Sequence, residues 1–227
     1  EDCTVNMWEA VFFDMDGVII NSEPIHYKVN QKIYSDYGLN IDWQEYTDFV
    51  GLSNTDMWTI LKNRYNLNVS VAVLKERQLE ENLLYLETHE EEPIPGVLNL
   101  LEEFTSRGKA LGLVSSSPRV YIYKVLDKFS IRDYFRTVVS GEEMERGKPE
   151  PDIYLSAASN LGVKPENCLV IEDSENGVRS AVSAGMKCVG LSRENEFYRG
   201  QSLDRADFVV SSFTDIDMEM LKKLFIN

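Results

Sequence analysis

The chain has 227 residues, 43% apolar and 27% charged, enough for one full hydrophobic core or a core with a small second domain, and not the composition of a disordered protein. Its net charge of −15 argues against nucleic acid or an anionic membrane surface as a partner, and an anionic substrate would need a local cation from lysine, arginine or a metal. No apolar stretch reaches the roughly 20 residues that cross a bilayer, and the start Glu1-Asp2-Cys3-Thr4 has no basic and apolar signal segment, so a cytoplasmic location is expected.

The first element is the apolar, strand-type run Val11-Phe12-Phe13, which ends in Asp14-Met15-Asp16-Gly17. In open α/β sheets, ligands sit at the carboxyl ends of strands. Two acids there, followed by a glycine free to adopt unusual backbone angles, are more than an acidic turn needs. The pattern then turns helical. Helices are predicted over 23–37, 42–50, 54–65 and 70–92, with Pro24 tolerated in the first turn of the first and Gly38 as its stop. Between Asn21 and Glu92 there is no convincing strand. The cluster Pro93-Ile94-Pro95-Gly96 is a stiff breaker and a natural hinge.

Beyond it, helices over 97–107, 119–129, 151–161 and 175–184 alternate with strands over 110–114, 137–140, 168–171, 187–191 and 207–210. Such alternation predicts an α/β fold, a Rossmann-like doubly wound parallel sheet covered on both faces. The partition that follows is a core of residues 1–20 and 94–227, interrupted by a small helical cap at 21–93. Cys3, Cys168 and Cys188 have no metal-ligand spacing and leave an odd thiol in any pairing, which fits a reducing compartment. Cys168 and Cys188 fall in strand-like runs and read as small core residues.

In a parallel sheet each strand presents its next residues at one edge. The first offers Asp14 and Asp16, the second Ser115-Ser116-Ser117, and the fourth Glu172 and Asp173. Lys148 follows shortly after the third. Each alone has a plain explanation, as a helix cap, a dipole-matched acid or a surface lysine. Together they suit phosphoryl transfer. Converging carboxylates make a hard oxygen site for Mg²⁺. A lysine and hydroxyls bind the remaining phosphate oxygens. One carboxylate can attack phosphorus, and a second, two residues on, can act as general acid and base. A calcium-loop reading fails, because Ile19 and Ile25 stand where that loop needs a glycine and an acid.

These residues resemble the haloacid dehalogenase superfamily of phosphohydrolases. The match is Asp14-Met15-Asp16-Gly17-Val18, Val114-Ser115, Gly147-Lys148-Pro149-Glu150-Pro151-Asp152 and Ile171-Glu172-Asp173-Ser174, in order and spacing over nearly all the chain outside the insertion. The insertion resembles the cap of the branch that contains β-phosphoglucomutase and small-sugar phosphatases. The resemblance implies Asp14 as nucleophile and Asp16 as general acid/base. It implies Ser115 and Lys148 on phosphate, and Mg²⁺ held by Asp14, the Asp16 backbone carbonyl and Asp173, with Glu172 near the metal. Dehalogenases of the superfamily lack the second aspartate, so Asp16 points to phosphate esters.

Gly17, Ser116, Ser117, His26 and Arg119 are the expected substrate-binding residues. His26 matches a histidine that the mutase branch carries near the core–cap boundary. Arg119 stands where the mutase would have an asparagine. A phosphosugar mutase needs cap cations for a second phosphate. The cap loop of β-phosphoglucomutase, with a lysine and an arginine, resembles Val50-Gly51-Leu52-Ser53-Asn54, where Val50 and Asn54 take those places. The stretch from Ile33 to Leu61 holds no lysine or arginine and five acids, Asp36, Asp42, Glu45, Asp48 and Asp56. The expectation is therefore a monomeric Mg²⁺-dependent phosphatase of a small phosphorylated metabolite, with a β-phosphoglucomutase-type mutase as the alternative. A non-catalytic phosphate-binding module is the third reading.

Overall fold

The computed structural model describes residues 8–50, 52–193 and 202–226. Ala10–Phe13 forms β1, and all four residues are buried, as the unbroken apolar run of a central parallel strand requires. Four helices follow: α1 (Glu23–Asp36), α2 (Trp43–Tyr46), α3 (Asn54–Tyr65) and α4 (Val71–Thr88). The alternating part comprises α5 (Val97–Ser106), β2 (Ala110–Ser115), α6 (Arg119–Lys128), β3 (Phe135–Ser140) and α7 (Asp152–Leu161). It continues through β4 (Cys168–Glu172), α8 (Glu175–Ser183), β5 (Lys187–Leu191) and β6 (Phe208–Val210) to α9 (Met218–Leu224).

The six strands form one sheet in the order β3-β2-β1-β4-β5-β6, every neighbouring pair parallel. The fold is the α/β, Rossmann-like arrangement that the alternation predicts. Because side chains alternate along a strand, β1 feeds two cores. Val11 and Phe13 pack with Leu113, Ile171, Leu101 and Phe104 on one face. Ala10 and Phe12 pack with Val170, Ile153 and Tyr154, and with Val178 and Ala181, on the other. Cys168 and Cys188 are buried free thiols, and burial pushes the Cys168 thiol up to about 12. Cys3 lies outside the described residues. Among the described residues no helix is long and apolar enough to cross a membrane.

Some boundaries differ from the sequence expectations for identifiable reasons. The 42–50 stretch is two short pieces, α2 capped by the Asp42 side chain on the Glu45 amide and then a single tight turn at Thr47–Phe49. Helix α4 ends at Thr88 rather than Glu92, since Glu90, Glu91 and Glu92 oppose the negative end of the helix dipole and Pro93 disfavours helix before it. Strand β3 begins two residues early, at Phe135, with Arg136 pointing to solvent. Helix α9 was not anticipated.

Two features set α4 against the rest of the molecule. Gln78 accepts from the Trp58 indole (3.0 Å) and donates to Asn30 (2.9 Å), a buried polar ladder that joins α4 to α3 and α1. At its far end, Lys128 of α6 donates to the carbonyls of Leu86 (3.0 Å) and His89 (2.7 Å), which the helix would otherwise leave unpaired. The chain enters and leaves the helical segment side by side, with the Ile94 amide donating to the Ile19 carbonyl at 2.9 Å.

Candidate active site

Strand β1 lies between β2 and β4, so the sheet order reverses there and opens a crevice at the carboxyl ends. Asp14 directly follows β1, and its amide still pairs with the Ile171 carbonyl (3.0 Å), which fixes the residue at the sheet edge. Strand β2 ends on Ser115, and β4 ends on Glu172 with Asp173 next. The loop after β3 returns Lys148 to the same edge. Its ammonium lies 2.5 Å from Asp14 Oδ1 and 2.6 Å from Glu172 Oε1, and the side chain is 7% exposed. Carboxylate oxygens of Asp14, Glu172 and Asp173 all fall within 4.8 Å of one another.

Glu172 is fully buried and its oxygens are occupied. Besides Lys148 it accepts from the Tyr154 hydroxyl (2.9 Å), from the amides of Asp173 (3.1 Å) and Ser174 (3.2 Å), and from the Ser174 hydroxyl (3.0 Å). These bonds hold Lys148 and the β4 terminus in place. Asp16 turns the other way. Its Oδ2 accepts from Ser117 (2.9 Å) and Ser115 (3.2 Å), while His26 Nε2 stands 3.7 Å from Oδ1, beyond hydrogen-bond length. His26 Nδ1 meets Asn82 Oδ1 of α4 at 3.2 Å.

The packing leaves no room for larger residues at two glycines. A Cβ on Gly177 would sit 1.8 Å from Glu172 Oε1. One on Gly17 would sit 1.7 Å from Asp173 Oδ2, and Gly17 has φ +80°, where L residues are strained. Gly17→Ala is accordingly expected to displace Asp173 and weaken divalent-cation binding by roughly 10- to 100-fold. Calorimetric titration checks this, and unchanged affinity in a folded variant would contradict it.

The charges are unbalanced. Burial raises the Asp14 carboxyl well above the aspartate range; Glu172 and Asp16 add to this, and Lys148 opposes it. Burial, then Asp14 and Glu172, raise Asp173 in the same way. Burial works to strip the proton from Lys148, but Asp14 and Glu172 outweigh it and hold the ammonium charged. One ammonium against three buried carboxylates leaves negative charge that a divalent cation would neutralise, and all-oxygen donors suit a hard ion. Asp16 is different. Burial raises it, yet His26, then Ser22 and Ser117, bring it below the ordinary value.

The structure therefore brings Asp14, Asp16, Ser115, Ser117, Lys148, Glu172 and Asp173 together, with Gly17 beneath Asp173 and His26 beside Asp16. Ser116 is exposed, with its backbone packed where a Gly141 Cβ would approach to 3.0 Å. Arg119 is directed elsewhere: its guanidinium pairs with Glu143 and donates to Tyr123 (3.1 Å) and the Val138 carbonyl (3.3 Å).

A cleft of about 240 Å³ opens beside Asp16, between α4 and the start of α6. His26, Ser117 and Tyr121 line it from one side, and Lys75, Gln78 and Asn82 of α4 from the other. Sequence reasoning missed Tyr121 and the α4 residues. Positions 75, 78 and 82 share one helix face, which was the available signal. The stretch from Ile33 to Leu61 holds no lysine or arginine, and the cation at this cleft, Lys75, comes from α4 beyond it.

The sequence pattern of the haloacid dehalogenase-like hydrolases matches residues 11–191, most of the chain and all of the strand-end motifs. The chain belongs to the haloacid dehalogenase-like hydrolase family. Among members of that family it is 33% identical to a phosphorylated carbohydrates phosphatase of Thermotoga maritima, over 79% of this chain and 82% of the relative. It is 30% identical to the β-phosphoglucomutase of Bacillus subtilis, over 94% and 93% of the two chains. The crystal structure of a β-phosphoglucomutase from Clostridium difficile superposes with a TM-score of 0.81 at 26% identity, covering 96% of this chain and 97% of the other. Within this hydrolase family, the relatives support an enzyme of the sugar-phosphatase or phosphomutase type.

Proposed function

We propose that the chain is a Mg²⁺-dependent phosphatase that hydrolyses the monoester of a small phosphorylated metabolite, a sugar or polyol phosphate, through an aspartyl-phosphate on Asp14. The observation that carries this is the meeting of Asp14, Ser115, Lys148 and Asp173, from four separate segments, at the switch point of the sheet. Asp14 and Asp173 with the Asp16 backbone carbonyl would hold Mg²⁺, Glu172 standing by through Lys148. Bound there, Mg²⁺ supplies the positive charge that keeps the carboxylates ionised and offsets charge on the phosphoryl oxygens.

The chain's own groups account for the remaining steps. Lys148 and Ser115 orient the phosphoryl group toward Asp14. A carboxylate oxygen of Asp14 bonds to phosphorus as the ester P–O bond breaks, and Asp16 gives its proton to the leaving alcohol oxygen. Asp16 then takes a proton from the water that attacks the phosphoenzyme, releasing phosphate and restoring Asp14. Asp16 is held ionised by its neighbours in the absence of substrate; a phosphate dianion is a like charge and raises it, as the acid step requires. The helical segment 21–93 acts as a cap over residues 1–20 and 94–227, and its closure excludes bulk water.

Lys75 in the cleft favours a second reading, phosphosugar mutase, because a second phosphate needs a cap cation. Glu76 and Glu142 line the same cleft, so its charge does not favour a second dianion, and hydrolysis is the better account. The deciding assay follows free phosphate and sugar phosphate together. Phosphate release from hexose or hexitol phosphates, abolished by EDTA and restored by Mg²⁺, is expected. Conversion of a sugar 1-phosphate to its 6-phosphate without release would replace phosphatase by mutase. Loss of neither bond across the panel would leave only the binding module.

Mg²⁺ should also register on stability. At a hundred times its Kd it is expected to add about 2.7 kcal/mol, roughly 5–11 °C in thermal midpoint for a chain of this size. Asp173→Asn should remove most of that shift. An equal shift in both proteins would place the cation elsewhere.

A further inference from the structure

The cleft beside Asp16 contains a group that the proposed hydrolysis does not use. Tyr121 is the third residue of α6 and 2% exposed, and its hydroxyl oxygen is fully buried without a hydrogen-bond partner among the described residues. Asp16 Oδ1 is likewise buried without a hydrogen bond. The Tyr121 ring lies 6.0 Å from that of His26, and both residues line the cleft. Native proteins pair nearly all buried polar side-chain atoms, so an unpaired phenol at the wall of a cavity calls for a partner that arrives with the ligand. Burial, then the carboxylates of Asp16, Glu91 and Glu23, raises the phenol well above its usual range, so the hydroxyl keeps its proton and remains a donor as well as an acceptor.

The rest of the cleft narrows the ligand. Asn54 and Asn82 present neutral amides, the Gln78 amide is held by Trp58 and Asn30, and the charge of Lys75 is offset by Glu76 and Glu142. A neutral group rich in hydroxyls suits these walls better than a second phosphate or a hydrocarbon.

We propose that Tyr121 is a specificity-determining residue whose hydroxyl pairs with a hydroxyl on the alcohol portion of the substrate, selecting polyhydroxylated phosphate esters over plain ones. This rests on the phosphatase reading, in which the leaving oxygen lies at Asp16 and the carbon chain beyond it enters the cleft.

The test compares glucose 6-phosphate and glucitol 6-phosphate with phenyl phosphate, which has no hydroxyl to offer, in wild type and in Tyr121→Phe. The ratio of kcat/KM for the better hydroxylated ester to that for phenyl phosphate is expected to fall roughly 10- to 100-fold in the variant, chiefly through KM. The thermal midpoint of ligand-free Tyr121→Phe should equal or exceed that of wild type, because no hydrogen bond within the protein is lost. An unchanged ratio overturns the proposal, whether both esters slow together, as for a packing role, or neither does, as for a hydroxyl that meets no ligand. A wild type that hydrolyses phenyl phosphate and neither hydroxylated ester also overturns it, while leaving the phosphatase reading intact. Release of phosphate from none of the three removes the phosphatase reading itself.

Discussion

Asp14→Asn is expected to lose hydrolysis of phosphate esters by on the order of 10⁴-fold or more, the scale seen when a nucleophile that works as part of a unit is removed. An amide cannot form the acyl phosphate; of the nearby carboxylates, Asp16 faces Ser115 and Ser117, Glu172 is saturated by Lys148, Tyr154 and backbone amides, and Asp173 belongs to the proposed cation site. The fold should survive. The substitution is isosteric, its carbonyl oxygen can still accept from Lys148, and it takes one negative charge out of a cluster that has too many. The ligand-free thermal midpoint is therefore expected to hold or rise while phosphate release disappears. A well-folded Asp14→Asn protein with wild-type turnover of phenyl phosphate would end the nucleophile assignment.

Lys148→Met should do the reverse to stability. The ammonium is the only cation in direct contact with Asp14 and Glu172 among the described residues, and Glu172 is fully buried. Breaking a buried pair from one side leaves an uncompensated charge, at a cost of about 3–5 kcal/mol. For a chain of this length that is roughly 6–20 °C in thermal midpoint. Activity should fall as well, because the charge that Lys148 places on the phosphoryl oxygens is lost. Adding Glu172→Gln to Lys148→Met should recover part of the stability and none of the activity. Recovery of both would show Lys148 to be a structural counter-ion alone; no loss in the single variant would show that the pair carries little energy.

The two variants separate the jobs of neighbouring groups. Asp14 and Lys148 touch, yet in the proposed mechanism one serves the chemistry at a cost in electrostatic strain and the other holds that strain in check. Such a cluster would be poor design for stability alone, where apolar residues of similar volume do as well or better. Gly17 and Gly177 stand against it, where an added Cβ would displace Asp173 or Glu172, so the backbone of both strand ends is tied to the same site.

Much of this was legible in order of residues. The apolar runs ending in Asp14, Ser115 and Glu172 announce parallel strands, and strand ends at a sheet edge announce a site, because the pleat and the one-way direction of the strands leave little freedom in where those side chains go. Arg119 shows the limit. Its place after the serine cluster suggested substrate binding, but a long side chain with rotatable bonds goes where its partners are, and Glu143, Tyr123 and the Val138 carbonyl hold it away. Lys75 shows the same limit from the other direction.

The amino-acid sequence alone specified an α/β fold of parallel strands that end in carboxylates, hydroxyls and, shortly after β3, a lysine, since apolar periodicity and motif spacing are local properties of the chain. Only the tertiary structure decided what lies opposite them. The packing of α4 on α6, where Lys128 holds the end of α4, brings Lys75, Asn82 and the unpaired Tyr121 hydroxyl around one cleft. That meeting depends on how two helices cross, and helix crossing is set by side-chain packing between segments distant in the chain, which no local pattern encodes.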